Sequence, residues 1–356
     1  MHAASALVLA AFGQWRCVSD ACRSRAADLS SSRAGSTHID LLSVAEKRWV
    51  ARTPGVTSAV VNPLATPSLD GREPGACVPG ACAILSVFTA GVADEWRNLH
   101  VTLQRVHLEA LMVVFALDQE VLAVAQAVGV AVRTELITAT VSRASDYGQR
   151  SFQPVVMLKL RAIQLLLREG LLVFYLDTDI VIMRDFVSDY LSMPKHDVYL
   201  QSNERHFGRA ESHCSGVMFF RPSTAALELL EATVVEFEHC KATSACTDQE
   251  ALNAAIHSRQ QPVGRLDPAN YPAGAQYFGV EPTYADPLFF NASARALCSQ
   301  TPMLVHNNWL IGRANKVIRF RLHGLWFVDG GAHVAHEWQQ YARVQLDAVG
   351  IQDTLR

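Results

Sequence analysis

The chain has 356 residues, half of them hydrophobic and 18% charged, with a net charge of −3. That length and apolar content can bury a large core, in one large α/β domain or two smaller ones. The near-neutral balance, with no Lys/Arg block, excludes the basic surface that a nucleic-acid partner requires.

Residues 3–12 form an apolar stretch without a preceding Lys or Arg. It suits the core of a secretion signal and is too short for a transmembrane helix, which needs about 20 residues. Residues 1–15 are therefore read as a signal or anchor remnant, through which the chain could associate with a membrane. Residues 16–82 are rich in Ser, Ala, Arg, Pro and Gly without a sustained apolar period, and read as a poorly ordered stem or linker. The texture changes at Ala83. Ala83 to Thr89 reads as a strand and Asp94 to Val106 as a helix with Trp96, Leu99, Leu103 and Val106 on one face. Ala110 to Leu117 is a second strand and Gln119 to Val128 a second helix, stopped by Gly129. A third strand follows around Val130 to Ile137. Alternating strands and helices predict an α/β fold with a mainly parallel sheet. After a polar loop, Pro154 sits where a helix starts, and Gly170 is placed to end it.

Leu171 to Phe186 then reads LLVFYLDTDIVIMRDF. The unbroken apolar run predicts a strand buried on both faces. Asp177 and Asp179 interrupt it, separated by Thr178. Burying ionised carboxylates is costly unless they are paired or bind a metal. A pair at i, i+2, aided by a slight turn, can reach one cation. Two solvated acids at a strand end remain the alternative.

Further on, Asp185 to Leu191 predicts a short helix, and Asp197 to Gln201 and Gly216 to Phe220 predict strands. Helices follow over Ser223 to His239 and Asp248 to His257, the latter with Thr247 placed as its cap. Residues 258–300 are Pro- and Gly-rich with strand-like pieces. Met303 to Val305 is a strand leading into His306-Asn307-Asn308-Trp309. Residues 331–356 hold an amphipathic helix, Glu337 to Val349. Six of the eight cysteines fall in close pairs, Cys17/Cys22, Cys77/Cys82 and Cys240/Cys246, and none forms CxxC. Disulfides in an oxidising lumen and ordinary free thiols both fit this spacing. Asn291-Ala292-Ser293 is a glycosylation sequon, which suits a lumen.

The order of these features resembles the nucleotide-diphospho-sugar transferases of glycosyltransferase family 77. The matching pieces are Thr89 after the first strand, Leu117 to Glu120, Lys159, Asp177-Thr178-Asp179 and Ser215 to Arg221. Asp248-Gln249 and His306-Asn307-Asn308-Trp309, with Gly312 and Lys316, complete them. The resemblance covers about Ala83 to Phe327. It implies a GT-A fold over residues 83–330, a nucleotide-sugar donor such as a UDP-sugar, and Mn²⁺ or Mg²⁺. It further implies transfer to a glycan or glycoprotein acceptor with retention, in the secretory pathway, in the Golgi lumen.

By the same resemblance His306 joins Asp177 and Asp179 as third metal ligand. Lys316 lies against the diphosphate, where Gly312 lets backbone approach. Thr89 and Ala90 lie where the base docks, and Thr178 and Lys159 belong to the donor set. Asp248 and Gln249 are the catalytic candidates. Each has a plainer role open to it: surface lysine for Lys316, a snorkelling one for Lys159, a residue answering the helix dipole for Asp248. Asp118 suits a helix cap as well as a donor contact. Ser215-Gly216 departs from the family's usual Asn-Gly. The bound metal would stabilise charge on the departing diphosphate.

Two alternatives compete. LVFYLDTDIV also resembles the first motif of haloacid-dehalogenase phosphatases, where the first Asp is a nucleophile and the second a general acid. That motif opens its domain, whereas here three βα-like units precede it. The other alternative is a non-catalytic GT-A relative that binds a nucleotide sugar.

Overall fold

Six of the apolar runs and one two-residue edge strand pair into one sheet. The computed structural model describes them within residues 77–137, 153–204, 212–241, 246–279, 291 and 295–328. All of these residues fall in one compact unit spanning 58–342. β1 (Cys82–Phe88), buried at every position, has β2 (Met112–Ala116) and β4 (Leu172–Leu176) as parallel neighbours. β3 (Ala131–Arg133) extends the sheet beyond β2, also parallel. Past β4 the direction changes. β7 (His213–Phe220) runs antiparallel to β4, and β6 (Val198–Ser202) antiparallel to β7. The two-residue β8 (Gly264–Arg265) lies parallel to β6 at the edge. The order is β3-β2-β1-β4-β7-β6-β8.

Alternation along β1 sends its side chains to two cores. Cys82, Ile84 and Phe88 join one core; Ala83, Leu85 and Val87 join the other. The first core is covered by α1 (Ala93–Arg105), α2 (Gln119–Ala127) and α4 (Phe186–Ser192), through Trp96, Leu99, Leu103, Val121, Phe186 and Tyr190. The second is covered by α3 (Gln153–Arg168), α5 (Thr224–Lys241) and α6 (Asp248–Arg259), through Ile163, Leu167, Leu229, Leu230 and Leu252. This is the expected α/β architecture, a mostly parallel sheet flanked by helices. Its caps are local. Asp118 accepts from the Val121 amide at 2.7 Å, and Thr247 with Glu250 forms a capping box at the start of α6.

Four expectations change. The acidic strand does not run on to Phe186. It ends at Leu176, a turn carries Asp177 to Asp179, and β5 (Ile180–Ile182) pairs antiparallel with β9 (Leu304–His306) in a separate two-stranded sheet. A sheet interior has no water for two carboxylates, so the chain turns out of it where they occur. The third strand shrinks to three residues at a sheet edge, where nothing on the far side rewards further pairing. Within 258–300 the described residues hold only β8 as strand, with the four-residue helix α7 (Gly274–Tyr277). An uncalled helix, α8 (Arg313–Leu322), follows β9. It escapes the sequence because its buried face is Arg319 and Phe320, not an apolar stripe. Residues 16–76 of the stem, the C-terminal helix and Cys17/Cys22 lie outside the described residues, whereas the last stem residue, Cys82, already opens β1. Of the close cysteine pairs, Cys77–Cys82 and Cys240–Cys246 are disulfide-bonded. No described helix is long and apolar enough to cross a membrane.

α8 ends at His323, whose ring packs 4.8 Å from that of Phe278. Burial, then the nearby Arg319 and Arg295, push the imidazole down to about 4. Between the unfolded value and about 4 the unfolded chain holds a proton that the native chain lacks. Stability present above pH 6.5 is therefore lost as pH falls through that window, by up to about 3 kcal/mol. The variant His323→Phe should flatten this part of the pH profile in urea melts at pH 7 and pH 4.5.

Candidate functional site

The site is assembled at the carboxyl edge of β4, where ligands bind in open α/β sheets. Asp177 leaves β4 with its amide donating to the Gly216 carbonyl of β7 at 2.8 Å. Three residues later Ile180 pairs with His306, so the turn and the end of β9 face each other. One ligand atom from each of Asp177, Asp179 and His306 then lies within 4.8 Å of the others. His306 Nε2 is 3.4 Å from Asp179 Oδ1 and 4.0 Å from Asp177 Oδ2. Asp177 is partly exposed, whereas Asp179 and His306 are buried. The resemblance named these three as ligands; the fold brings them together.

Charge is concentrated around them. Lys316, in the second turn of α8, donates from Nζ to Asp179 Oδ2 at 2.7 Å. Burial opposes ionisation of Asp179, but Lys316 and His306 outweigh it and hold the carboxyl far below the usual range. Burial likewise lowers His306, and Asp179 then Cys214 overcome it, raising the imidazole to about 10. Those values describe the metal-free group; a bound cation would compete with the ring proton. Asn307 ties the same region together. Its amide nitrogen donates to the Lys316 carbonyl at 2.9 Å, and its backbone N–H to the Asp179 carbonyl at 2.8 Å.

Lys159 is 5% exposed and does not snorkel. Its Nζ donates to Asp248 Oδ2 at 2.6 Å and to the Ser215 carbonyl at 2.7 Å, and lies 3.8 Å from Asp177 Oδ1. Burial works against its charge, but Asp177 and Asp248 raise it above the ordinary lysine value. Asp248 is 2% exposed and turned to Lys159, which is more than an answer to the helix dipole. Gln249 beside it accepts from the Ser215 amide at 3.4 Å. Both of these Ser215 contacts are made by its backbone, so they do not depend on Ser in place of the family's Asn.

The other donor candidates sit along the same edge. Thr89 and Ala90 follow β1, adjacent and parallel to β4. The Ala90 amide donates to Asp118 Oδ2 at 3.3 Å while Asp118 Oδ1 caps α2, so Asp118 acts as a cap and a tether. Thr178 is partly exposed in the acidic turn. Gly312 precedes α8 at φ +89°, a conformation that L side chains rarely adopt.

Sequence reading missed four supporting groups. Tyr175 donates its hydroxyl to Asp177 Oδ1 at 2.6 Å, but its apolar strand context hid it. Gln201 meets His306 Nδ1 at 2.8 Å; an amide inside the strand VYLQS was the available signal. Cys214 lies 3.7 Å from the same nitrogen. Arg313 joins α8 to α1 through Glu95 at 2.8 Å and Asp94 at 2.8 Å, pairs that no local pattern reveals.

Two carboxylates and an imidazole form a donor set suited to Mn²⁺ or Mg²⁺. The space is also kept clear. A Cβ on Gly216 would collide with His306 Cε1 and stand 2.6 Å from Asp177 Oδ2. The residues present therefore fit a divalent ion.

A family model described as nucleotide-diphospho-sugar transferase matches residues 107–320, and the chain belongs to that family. The phosphatase reading of Asp177 and Asp179 falls away with it. A UDP-galactose:fucoside alpha-3-galactosyltransferase of Dictyostelium discoideum is 23% identical over 216 residues, 52% of this chain and 30% of that protein. The UDP-D-xylose:L-fucose alpha-1,3-D-xylosyltransferase MGP4 of Arabidopsis thaliana is 26% identical over 207 residues, 53% of this chain and 54% of that one. The chain spans about half the length, or less, of the curated relatives it matches. Among solved structures, the glycosyltransferase GlyE of Streptococcus pneumoniae aligns at a TM-score of 0.47 and 14% identity, over 74% of this chain and 64% of that one. The galactosyltransferase LgtC with donor and acceptor sugar analogs aligns at 0.44 and 14%, over 74% and 95%.

Gly216→Ala should weaken Mn²⁺ binding at least about tenfold in calorimetry, because the ring or the carboxylate must move out of ligand geometry. Its far-UV circular dichroism should match that of the parent chain.

Proposed function

We propose that the chain is a metal-dependent glycosyltransferase that moves a sugar from a UDP-sugar to a glycan or glycoprotein acceptor with retention. The observation that carries this is the convergence of Asp177, Asp179 and His306 beside Lys316 at the carboxyl edge of the sheet, in a chain of this family. The relatives are named for UDP-galactose and UDP-xylose donors, fucose-bearing acceptors and alpha linkages. An alpha linkage is what a retaining transfer from an α-linked UDP-sugar makes. Galactose and xylose are thus the first donors to test, and a fucoside the first acceptor.

Each group has work that its position supports. Asp177, Asp179 and His306 would hold Mn²⁺ or Mg²⁺. When bound, the ion supplies Lewis-acid stabilisation of charge on the departing diphosphate. Lys316 brings an ammonium to the same phosphates, and the amide groups opening α8 after Gly312 favour an anion. Thr89 and Ala90 line the edge on the β1 side for the base, and Thr178 faces the donor from the acidic turn. Lys159 acts by holding Asp248 rather than by touching phosphate, since its buried Nζ is held by both Asp248 and the Ser215 carbonyl, whereas Lys316 is partly exposed. Asp248 and Gln249 open α6 next to the β7 backbone and are assigned to the sugar, orienting it for attack. The domain so defined spans 83–330.

Disulfides Cys77–Cys82 and Cys240–Cys246 support an oxidising lumen of the secretory pathway; the Golgi, with membrane association through the N-terminal apolar stretch, is the place proposed within it. Expressed through a eukaryotic secretory route, the chain should carry an N-glycan at Asn291. Endoglycosidase treatment should then shift its mobility, and Asn291→Gln should not shift.

Donor hydrolysis with UDP-galactose and UDP-xylose tests the central assignment. Asp177→Asn and Asp179→Asn should each lower Mn²⁺-dependent UDP release by about 10³-fold with the fold retained. Undiminished turnover in both variants would overturn the metal assignment. Mn²⁺-dependent donor binding by the parent chain, without hydrolysis or transfer to any fucoside, would favour the non-catalytic binder.

A further inference from the structure

Gln201 occupies a place where an apolar side chain would be expected. It lies in β6, is fully buried, and has Leu200 and Tyr199 as buried neighbours in the strand. Yet every polar atom of its amide is engaged. The nitrogen donates to two carbonyls, Tyr271 and Pro272, each at 3.1 Å. The oxygen lies 2.8 Å from His306 Nδ1. Carbonyls accept and do not donate, so the NH₂ must face Tyr271 and Pro272. The amide is thereby oriented by its neighbours, and its oxygen is an acceptor aimed at the ring.

That orientation decides the state of His306. A nitrogen facing an acceptor at 2.8 Å carries the hydrogen, so Nδ1 is protonated. In the neutral ring the lone pair then belongs to Nε2, the nitrogen that faces Asp177 and Asp179. The opposite tautomer would set the Nδ1 lone pair against the Gln201 oxygen and an N–H where a cation should sit. Cys214 is the other group near Nδ1, but at 3.7 Å it is the weaker partner. Its sulfur already receives the Gly216 amide at 3.4 Å and the Asn308 amide at 3.5 Å.

The support continues behind the glutamine. The Tyr271 hydroxyl donates to Asp189 Oδ2 in α4 at 2.7 Å. The Pro272 carbonyl also accepts from the His306 backbone at 3.3 Å. The two carbonyls that orient Gln201 are therefore pinned both to a helix and to the strand of the histidine.

We propose that Gln201 is a positioning residue that fixes the tautomer and ring plane of His306, leaving Nε2 as the ligand atom for a divalent cation. This rests on the metal site proposed above. Partners behind ligand histidines typically change metal affinity by about 10–100-fold when removed.

The test uses the full chain and two variants, Gln201→Met, close in volume with only a weak thioether acceptor in place of the amide, and Gln201→Leu, with none. Free Mn²⁺ measured by electron paramagnetic resonance gives the affinity. ¹⁵N-histidine spectra at saturating Mg²⁺ give the tautomer. The expected results are a proton on Nδ1 of His306 in the parent chain and a dissociation constant for Mn²⁺ raised about 10–100-fold in both variants. The His306 Nδ1–H signal should also be lost in them. Mn²⁺ binding by the parent with unchanged affinity and tautomer in both variants would overturn this inference alone. The tautomer measurement on the parent stands even if neither variant folds: a proton on Nε2 there would also overturn it. A parent chain that binds no Mn²⁺ would overturn the metal site and this inference together.

Discussion

Three residues of backbone pairing between β5 and β9 decide whether the site exists. The acidic turn and His306 are far apart in the chain, and only the register Ile180 to His306 sets them face to face. Closing so long a loop is entropically unfavourable, though the penalty grows slowly with length. Apolar burial offsets it. Val181, two residues from Asp179, and Val305, next to His306, pack with Phe278, Phe320, Leu325 and Trp326 in a core of their own. The second sheet is thus a clamp, and the same burial that stabilises it aligns the ligand atoms. Arg313 reinforces it from outside by joining the start of α8 to α1.

Around this clamp charge is concentrated, buried at Lys159, Asp248 and Asp179 and partly exposed at Lys316. Lys159 with Asp248, and Lys316 with Asp179, are direct pairs at 2.6 and 2.7 Å. Buried pairs contribute little net stability, because desolvation consumes much of the attraction. Removing one partner is different, since the other is left uncompensated. These pairs are better understood as fixing geometry than as holding the fold together. Tyr175 belongs to the same set. Burial, then Asp177, keep its hydroxyl protonated well above the ordinary range, so it remains a donor to Asp177.

What the sequence revealed follows from range. β1, α1, β2 and α2 could be read from periodicity alone, and Thr247 from capping chemistry, because those signals are local. The Asp177–Asp179 pair was conspicuous because carboxylates are rare beside a fully buried strand. His306 and Lys316 were assigned only through family resemblance; nothing within their own stretch distinguishes them from loop residues. The break after Leu176 was hidden because Ile180 to Ile182 are apolar whichever sheet they join. α8 was hidden because its interior face carries an arginine. Lys159 showed its apolar surroundings but not its partner, Asp248, which arrives from a distant helix. Gln201 gave only a faint sign, one amide in an otherwise apolar strand.

Gly216 bounds the site by what it lacks. Every L-residue but glycine begins with a carbon where His306 Cε1 already stands. Changing a ligand's chemistry can be graded, since a water or a neighbouring oxygen can stand in for a lost one. Filling space is a threshold. Any side chain at position 216 therefore displaces His306 or Asp177, while Thr178 is partly exposed in the acidic turn. A single methyl group at position 216, on a strand that carries none of the three ligand residues, would disturb His306 and Asp177 at once.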